Sequence, residues 1–432
     1  MVKLLIIADD FTGALDTGVQ FAARGAATSV ITDPAFDFAG ADDGLQVLVM
    51  DAETRHLRPE QAYSVVRKAA EHALAAGVCC IYKKTDSALR GNIGAELTAV
   101  VDAAGTDRLP FIPAFPKMNR ITRDGVHLID GVPVAQSVFG QDPFDPVRHS
   151  RVSDVLREQS PLTVVQRHPG DPDSDFPGIQ VFDAASEEDL QQIGRQLGPS
   201  GVRLCAGCAG FASVLANLLA LSGPSPWVPD LPSPFFVVCG SVNPVTCRQL
   251  DYAEQAGVPR FRLLPEEKLL PEWLESGGCA GKVEHWRKTA MQEGACILDS
   301  NDPPGGPDAR AFAAGHGLDL QQVRVQISCT LGQLVRRLLD DGLEGTLMCT
   351  GGDTLMALMR AVGVTELTPV CELDTGVVLT YFAYQGKRHF IITKSGGFGK
   401  PDLLYTLAKL TKSGAMQKLD GFVCNEKPSE RV

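Results

Sequence analysis

The chain has 432 residues, of which 44% are hydrophobic and 21% charged, and its formal net charge is −12 at pH 7. This length exceeds what one hydrophobic core usually supports, so we expect two domains. The acidic balance argues against nucleic acid or an anionic membrane as the main partner, because both are polyanions. To bind an anionic small molecule, this acidic chain would need local clusters of lysine and arginine.

The cysteines indicate a reducing compartment rather than a disulfide framework. Several, including Cys239 and Cys349, lie in apolar runs typical of buried strands, where a free thiol behaves as a small hydrophobe. Cys205 and Cys208 form a C-x-x-C, but no second pair lies at zinc spacing, so we favour a turn between a strand and a helix. No apolar run is long enough to span a membrane, and the first residues do not resemble a signal peptide. The sequence thus predicts a cytoplasmic protein.

The first half of the chain alternates short apolar runs with helical patterns. Pro59–Ala76 reads as a helix, with proline at its start and Gly77 just beyond its end. Near-continuous apolar strands separated by helices are typical of a parallel sheet covered on both faces. The predicted strands are 2–8, 45–50, 78–82 and 109–112.

The second half repeats this alternation after a proline-rich stretch, SGPSPWVPDLPSP, that we interpret as an interdomain linker. Its predicted strands are 235–239, 295–298, 346–349 and 388–393. The fold class predicted is therefore α/β, with two α/β domains and mostly parallel sheets. The predicted divisions are an N-terminal domain at 1–222, a linker at 223–234, a C-terminal domain at 235–412 and a polar tail at 413–432.

Charged residues follow the predicted strands of the first half. Ligands bind at the carboxyl ends of strands in open α/β sheets, so these residues should share one rim. Any one of them has a simpler explanation as a solvated loop charge or a helix cap, as for Asp10 or Thr12. Taken together, they favour a site for a small polyhydroxy acid, because arginine binds carboxylates and aspartate accepts from hydroxyls. The charges are Asp9, Asp10, Asp51, Arg55, Lys83, Lys84, Asp86 and Arg90.

Glycines follow the predicted strands of the second half instead, at Gly240, at Gly351-Gly352 and at Gly396–Gly399. Glycine lets backbone N–H groups approach phosphate oxygens, and the N-terminus of the next helix adds a positive dipole. Three such turns predict a nucleotide cradle. The sequence contains neither G-x-x-x-x-G-K-[ST] nor a G-x-G-x-x-G after the first strand, which argues against a P-loop kinase and a dinucleotide dehydrogenase.

Six segments between residues 3 and 405 together resemble the four-carbon acid sugar kinase family, and they occur in that family's order. They are IADDFTGALDTGVQFA (7–22), KKTDSALRGNIGAEL (83–97), IPAFPKMNRITRDGVHLIDGVPV (112–134), GSVNPVTCRQL (240–250), TGGDTLMAL (350–358) and TKSGGFGKPDLL (393–404). The resemblance implies a substrate-binding N-terminal domain and a nucleotide-binding C-terminal domain, with the active site in the cleft between them. It also implies transfer of a phosphoryl group from ATP to the 4-hydroxyl of a four-carbon sugar acid.

The resemblance also assigns roles to residues. The substrate-binding candidates are Asp9, Arg55, Lys83, Lys84, Thr85, Asp86 and Arg90, and the ATP-binding candidates are Ser241, Gly351, Gly352, Asp353, Thr354 and Gly397. The KKTDS segment followed by LRG is more similar to threonate and erythronate kinases than to the 3-oxo-tetronate branch. D-threonate is therefore the expected acceptor, with D-erythronate and 3-oxo-tetronate as alternatives. Three places depart from the family pattern: Ala88, 118–120 and 374–377.

Phosphoryl transfer needs in-line positioning and neutralisation of charge on the γ-phosphate. We expect Mg²⁺ to arrive with ATP, assisted by Asp353 or through water, and no separate protein metal site. Asp9, Asp10 or Asp86 could orient the acceptor hydroxyl or take its proton, and the sequence does not choose among them. The competing hypothesis is a sensor that binds the sugar acid and nucleotide without turnover. The sequence does not distinguish a monomer from a homodimer.

Overall fold

The protein was analysed as a computed structural model that describes residues 2–38, 40–142, 145–172, 176–224 and 229–414. Its chain divides into two compact units, residues 1–225 and 226–432. The last helix ends at Ser413, and Gly414 caps it in the left-handed conformation. The rest of the predicted tail, 415–432, and the middle of the predicted linker, 225–228, lie outside the described residues.

The first unit alternates strands and helices. Its strands are β1 (Leu4–Ala8), β2 (Thr28–Ile31), β3 (Val47–Asp51), β4 (Cys80–Lys84), β5 (Arg108–Ile112), β6 (Arg120–Arg123), β7 (Val126–Ile129), β8 (Val132–Pro133), β9 (Val164–Arg167), β10 (Gly178–Phe182) and β11 (Leu204–Gly207). Its helices are α1 (Phe11–Ala22), α2 (Pro59–Ala75), α3 (Ile93–Ala104), α4 (Val152–Arg157), α5 (Glu187–Gly201) and α6 (Ala209–Leu218).

A fully parallel sheet organises this unit, with strands in the order β2-β3-β1-β4-β11-β5-β10-β9. The four predicted strands are confirmed as β1, β3, β4 and β5. The strand β4 is longer than predicted at its carboxyl end, because its two lysines pair with β1 and β11 inside the sheet. The small antiparallel sheet β6-β7-β8 was not predicted.

Local sequence explains several helix boundaries. The helix α2 begins at Pro59, whose fixed φ suits the first helical position, and Gly77 with φ +85° follows its end. The Asp10 side chain caps α1 by accepting from the Gly13 amide. The predicted strand-to-helix turn at Cys208 is confirmed, since this residue caps α6 directly after β11.

The second unit has the same alternation with an antiparallel addition. Its strands are β12 (Phe235–Cys239), β13 (Arg260–Arg262), β14 (Ala295–Asp299), β15 (Thr346–Thr350), β16 (Glu366–Asp374), β17 (Val377–Tyr384) and β18 (Lys387–Lys394). Its helices are α7 (Pro244–Gln255), α8 (Pro265–Leu269), α9 (Pro271–Leu274), α10 (Gly277–Glu293), α11 (Ala309–Gly315), α12 (Leu320–Asp340), α13 (Gly352–Val362) and α14 (Leu403–Ser413).

Within this unit the strand order is β13-β14-β12-β15-β18-β17-β16. The five strands β13, β14, β12, β15 and β18 pair with one another in parallel. The strand β17 pairs antiparallel with both β18 and β16. All four predicted strands are confirmed, and the mostly parallel character of both sheets is confirmed with them. No helix in the described ranges is both long and apolar enough to cross a membrane.

Candidate active site

Charged side chains converge at the carboxyl edge of the first sheet. The strand β1 lies between β3 and β4, and all three run in parallel, so the residues after each strand are neighbours in space. We call six residues there the charged cluster: Asp9, Asp10, Arg55, Lys84, Asp86 and Arg90. These members of the predicted site are brought together as the strand-end argument requires.

Asp9 occupies the buried centre of the charged cluster. Arg55 Nε and Nη2 donate to Asp9 Oδ2 at 2.8 and 2.6 Å, and Lys84 Nζ donates to Asp9 Oδ1 at 3.0 Å. With 2% of Asp9 exposed, both carboxylate oxygens are engaged by the protein itself. Asp9 therefore orders the two cations in this structure.

Asp10 is the most exposed carboxylate of the charged cluster, with 24% of its side chain accessible. Its Oδ1 lies 3.0 Å from Lys84 Nζ and 2.8 Å from Arg55 Nη2, and it accepts from the Gly13 amide at 3.1 Å. A methyl group on Gly13 would lie 1.7 Å from Lys84 Nζ, so glycine is required for the lysine to reach both aspartates.

Asp86 and Arg90 form a two-pronged pair in the loop that follows β4. Arg90 Nε donates to Asp86 Oδ2 at 2.9 Å and Nη2 to Oδ1 at 3.0 Å, while Arg55 Nη2 lies 3.4 Å from the same carboxylate. The Arg90 guanidinium also stacks over the Phe139 ring, 5.1 Å from its centre. Nearly a quarter of the Arg90 side chain remains accessible.

Mutual attraction keeps Asp10, Lys84 and Asp86 of the charged cluster ionised despite their burial. Burial alone would raise the pKa of Asp10, but Arg55 and Lys84 overcome this effect and hold that pKa well below its usual range. Burial acts in the same way on Asp86, where Arg90 and Arg55 lower the pKa. For Lys84 burial lowers the pKa and the neighbouring aspartates raise it above its ordinary value. These groups therefore present fixed charges at neutral pH.

Lys83 points away from the charged cluster, because consecutive residues of a strand face opposite sides of the sheet. Its fully buried ammonium lies 3.0 Å from Glu96 Oε2 and donates to the Lys84 carbonyl at 2.7 Å. Glu96 also accepts from Thr54 Oγ1, and burial raises the pKa of Glu96. The substrate-binding prediction for Lys83 remains a prediction, and the contacts of its side chain lie in the interior.

Two polar atoms near the site have no hydrogen-bond partner within the described structure: Thr85 Oγ1 and Asp51 Oδ2. Asp51 Oδ1 accepts from the Glu53 amide at 3.1 Å. Burial raises the pKa of Asp51 well above its usual range, so this carboxyl holds a proton more readily than its neighbours do. The sequence identified Asp51 as a charge at a strand end, whereas its raised pKa follows from its burial and from the neighbouring carboxylates of Asp10, Glu53 and Asp9.

A cavity of about 430 Å³ opens beside Arg55 and Arg90. The N-termini of α2 and α3 border it through Pro59 and Asn92, so two helix dipoles add positive potential to the two guanidinium groups. A cavity of this size accommodates a small polar metabolite. Other residues that line it are His56, Asp145, Arg148, His149 and Glu158.

Sequence reasoning gave no site role to Arg120 or His127. Arg120 Nη1 donates to Ser87 Oγ, and its guanidinium lies 5.3 Å from the centre of the Phe139 ring. His127 contacts the Ser87 carbonyl at 2.9 Å, and burial lowers its pKa to about 4, so it is neutral at physiological pH. Both residues lie in the segment 112–134, which carries part of the family resemblance, and their place in that segment could have identified them from the sequence.

Ala88, one departure from the family pattern, lies in the hydrophobic core and not at the accessible rim. It is fully buried within an apolar cluster that includes Leu89, Ile93 and Phe111. Its amide donates to Asp86 Oδ2 at 3.2 Å. At this position the backbone, rather than the side chain, contacts the charged cluster.

The glycine turns of the second unit also converge. The strands β12, β15 and β18 are parallel neighbours, so the loops after them share one edge. A methyl group on Gly396 would lie 3.1 Å from Ser241 Oγ, and one on Gly351 would lie 3.6 Å from the Ser241 amide. Ser241 is therefore the meeting point of the three loops, which we call the glycine-loop site.

Close backbone approach shapes the glycine-loop site. A methyl group on Gly240 would lie 1.9 Å from Thr354 Oγ1, so the first loop can pack on α13 only without a side chain there. Gly351 has φ +100°, and α13 begins at the next residue. The turn between β16 and β17 packs here too, since a methyl group on Gly376 would overlap the Phe398 ring.

The ATP-binding candidates differ in accessibility. The Asp353 side chain in the first turn of α13 is about half exposed, and its Oδ2 lies 3.6 Å from Arg324 Nε. Thr354 is buried, with 2% exposed. Among the residues that the structure describes, no group of three or more histidine, cysteine or acidic side chains could hold a metal ion.

Comparisons with known proteins match both units. A family model described as a sugar-binding N-terminal domain matches residues 4–215, and one described as a nucleotide-binding C-terminal domain matches residues 236–404. The chain is 31% identical to a D-threonate kinase from Bordetella bronchiseptica, covering 96% of this chain and 98% of the relative. It is 29% identical to a D-threonate kinase from Salmonella typhimurium, covering 93% and 97%.

A D-erythronate kinase from Heliobacterium modesticaldum is also 29% identical, covering 94% of this chain and 96% of the relative. Among solved structures, one from Salmonella typhimurium LT2 described as a putative tRNA synthase superposes with a TM-score of 0.77. The two chains are 21% identical, with 94% and 99% covered, so this likeness supports the fold alone.

Proposed function

Because the chain belongs to the four-carbon acid sugar kinase family, we propose that it transfers the γ-phosphoryl group of ATP to the 4-hydroxyl of D-threonate. An ATP-dependent sugar-acid kinase follows from the family itself. The choice of D-threonate rests on the two D-threonate kinases at 29% and 31% identity over nearly the whole chain. In this proposal residues 1–222 bind the acid sugar, and residues 235–412 bind the nucleotide.

The charged cluster is the observation that supports this function best. A four-carbon sugar acid carries one carboxylate and several hydroxyls, so it needs a cation for the first and fixed acceptors for the others. Arg90 has nearly a quarter of its side chain accessible and borders the cavity. We assign it the substrate carboxylate, with the dipoles of α2 and α3 adding to the attraction.

We assign Asp10 the acceptor hydroxyl. Of the three candidate carboxylates it is the most exposed, at 24%, against 2% for Asp9 and 8% for Asp86. Its lowered pKa keeps it ionised, so it accepts a hydrogen bond from the hydroxyl and aligns that oxygen for attack. Asp9 and Asp86 then hold the cations, and Lys83 with Glu96 supports β4 from the other face of the sheet.

The glycine-loop site is proposed to bind ATP through Ser241, Gly351, Gly352, Asp353, Thr354 and Gly397. Backbone N–H groups at the start of α13 suit phosphate oxygens. Mg²⁺ is proposed to enter with ATP, since this ion keeps several waters and binds through substrate phosphates and one or two carboxylates. The accessible Asp353 fits such a contact.

An assay that couples ADP release to an absorbance change tests the function directly. The purified chain would be given ATP and Mg²⁺ with D-threonate, D-erythronate or 3-oxo-tetronate, and phosphorus NMR would locate the new ester. We expect the highest kcat/KM with D-threonate and a 4-phosphate product. A higher kcat/KM with either other acid would reassign the substrate. Ligand binding without ADP release would favour the non-catalytic sensor.

The sequence left a monomer and a homodimer open, and both stay alternatives for the assembly of this chain. Sedimentation equilibrium across a range of protein concentrations would measure the assembly mass directly.

A further inference from the structure

Lys394 is a buried cation beneath the glycine-loop site. It is the last residue of β18, and only 1% of it is exposed. Its Nζ donates to Thr246 Oγ1 at 2.9 Å and to the carbonyls of Ser395 and Gly396 at 3.2 and 3.1 Å. All three acceptors are neutral oxygens.

No carboxylate of the described residues lies within 4 Å of this ammonium. The titratable groups that act on it are two thiols, Cys239 on β12 and Cys247 on α7. Its sheet neighbours are Thr350 on β15 and Val377 on β17, neither of which ionises. A buried charge is unfavourable unless it is paired, and neutral oxygens compensate it only in part.

The position of Lys394 indicates where an anionic ligand would compensate its buried charge. Thr246 lies in the first turn of α7, and the Gly396 carbonyl accepts from Thr246 Oγ1 at 2.8 Å. A methyl group on Gly396 would approach both Ser241 and Asn243, the residue that caps α7. The ammonium thus lies behind the Ser395–Gly396 loop, close to the N-terminus of α7. The charge of the ammonium and the dipole of α7 both add positive potential there, which attracts an anion.

We propose that Lys394 is a positioning residue for ATP, whose ammonium holds the Ser395–Gly396 loop and supplies the positive charge that draws the phosphate groups onto it. This inference rests on the proposed function, because it takes the ligand of the glycine-loop site to be ATP. Lys394 acts through the loop, since its own side chain has almost no accessible surface.

The charge of Lys394 is sensitive to pH in an accessible range. Burial lowers the pKa of Lys394 to about 8, whereas it raises that of Cys239 to about 12 and that of Cys247 above its ordinary value. As the pH rises through about 8, the lysine loses its proton while the thiols stay neutral. ATP affinity should therefore fall between pH 7 and pH 9.

Calorimetric titration with Mg²⁺ and ATP, without acid sugar, tests this at pH 7, 8 and 9. For the unaltered protein we expect the Kd to rise by up to about tenfold from pH 7 to pH 9, because with a pKa of about 8 the fraction of protein that carries a protonated Lys394 falls by about that factor. Lys394→Met should bind ATP roughly ten- to a hundredfold more weakly than wild type at pH 7. Its affinity for ATP should not change with pH, because the titrating ammonium is gone. Lys394→Arg should retain the pH 7 affinity up to pH 9.

Lys387→Met is the matched control, because Lys387 lies on the same strand but is exposed and pairs with Glu344. It should follow the wild-type profile. A flat wild-type profile would overturn the role of Lys394, even where Lys394→Met fails to fold. A folded Lys394→Met with the wild-type profile would overturn it as well. A wild-type chain that binds no ATP at all would instead overturn the proposed function.

Discussion

The two candidate sites lie at equivalent places in their sheets but recognise ligands by different means. In the first unit the strand ends present ionised side chains that compensate one another, from Asp9 at the centre to Arg90 at the rim. In the second unit the strand ends present glycine turns packed so closely that a methyl group at Gly240 would overlap Thr354. The one buried cation discussed there, Lys394, lies behind a loop.

The contrast follows from the ligands proposed. An acid sugar offers few groups in fixed directions, so its recognition depends on individual side chains. A triphosphate offers many equivalent oxygens, so backbone N–H groups and helix dipoles recognise it without a directional side chain. Substitutions should therefore act through lost charge in the first unit and through added volume in the second.

Asp10→Asn should give the largest effect on activity. Asparagine keeps the cap of α1 but has no carboxylate for the acceptor hydroxyl, so kcat should fall by roughly 10²- to 10⁴-fold. Tm should fall as well, because Arg55 and Lys84 lose the charge of one partner. Steady-state kinetics beside a melting curve measure both quantities. Asp319→Asn, which alters the cap of α12 in the other unit, is the control and should keep its kcat. A normal kcat in Asp10→Asn would remove Asp10 from the mechanism.

Arg55→Met should give the largest loss of stability. This buried guanidinium lies between Asp9, Asp10 and Asp86, and its removal leaves three carboxylates short of compensation. We expect a decrease of about 3–5 kcal/mol in the free energy of unfolding, measured by urea denaturation. Arg67→Met, at an exposed pair with Glu71, should change little. Equal losses in both variants would contradict the account of the charged cluster.

Arg90→Lys keeps the charge and removes the two-pronged geometry. A charge-assisted hydrogen bond contributes about 1.5–3 kcal/mol, so kcat/KM for D-threonate should fall by about ten- to a hundredfold. ATP binding should stay near the wild-type value. Since Arg90 pairs with Asp86 in this structure, the alternative is a purely structural pair. That alternative predicts a lower Tm with unchanged kinetics, and Arg157→Lys on the exposed face of α4 provides the baseline.

Gly240→Ala should act only in the second unit, and the lower end of its expected range lies below that of Arg90→Lys. The added methyl group must displace Thr354, and overpacking of this kind costs about 1–3 kcal/mol, so ATP affinity should fall roughly 5- to 150-fold. D-threonate affinity should not change. Gly281→Ala in α10, where a methyl group meets nothing within 4 Å, is the matched control. Equal ATP affinity in both variants would show that close packing at Gly240 does not shape the nucleotide loops.

Local patterns were enough to predict the main strands, the start of α2 and the turn at Cys208. Apolar runs, proline positions and glycine conformations act within a few residues, so the sequence displays them directly. The antiparallel hairpins β6–β7 and β16–β17 were not predicted. The strands β7 and β16 alternate between buried and more exposed residues, so they lack the continuous apolar run that marked the predicted strands.

For the site, the sequence by itself determined which residue types follow each strand: charges in the first unit, glycines in the second. Only the tertiary structure decided which of those residues face one another. Lys83 and Lys84 are adjacent in sequence, yet one pairs with Glu96 on one side of the sheet and the other with Asp9 in the charged cluster. The raised pKa of Asp51 and the lowered pKa of Lys394 depend on burial by elements distant in the chain. Burial and charge compensation are properties of the packed neighbourhood, and no local pattern encodes them.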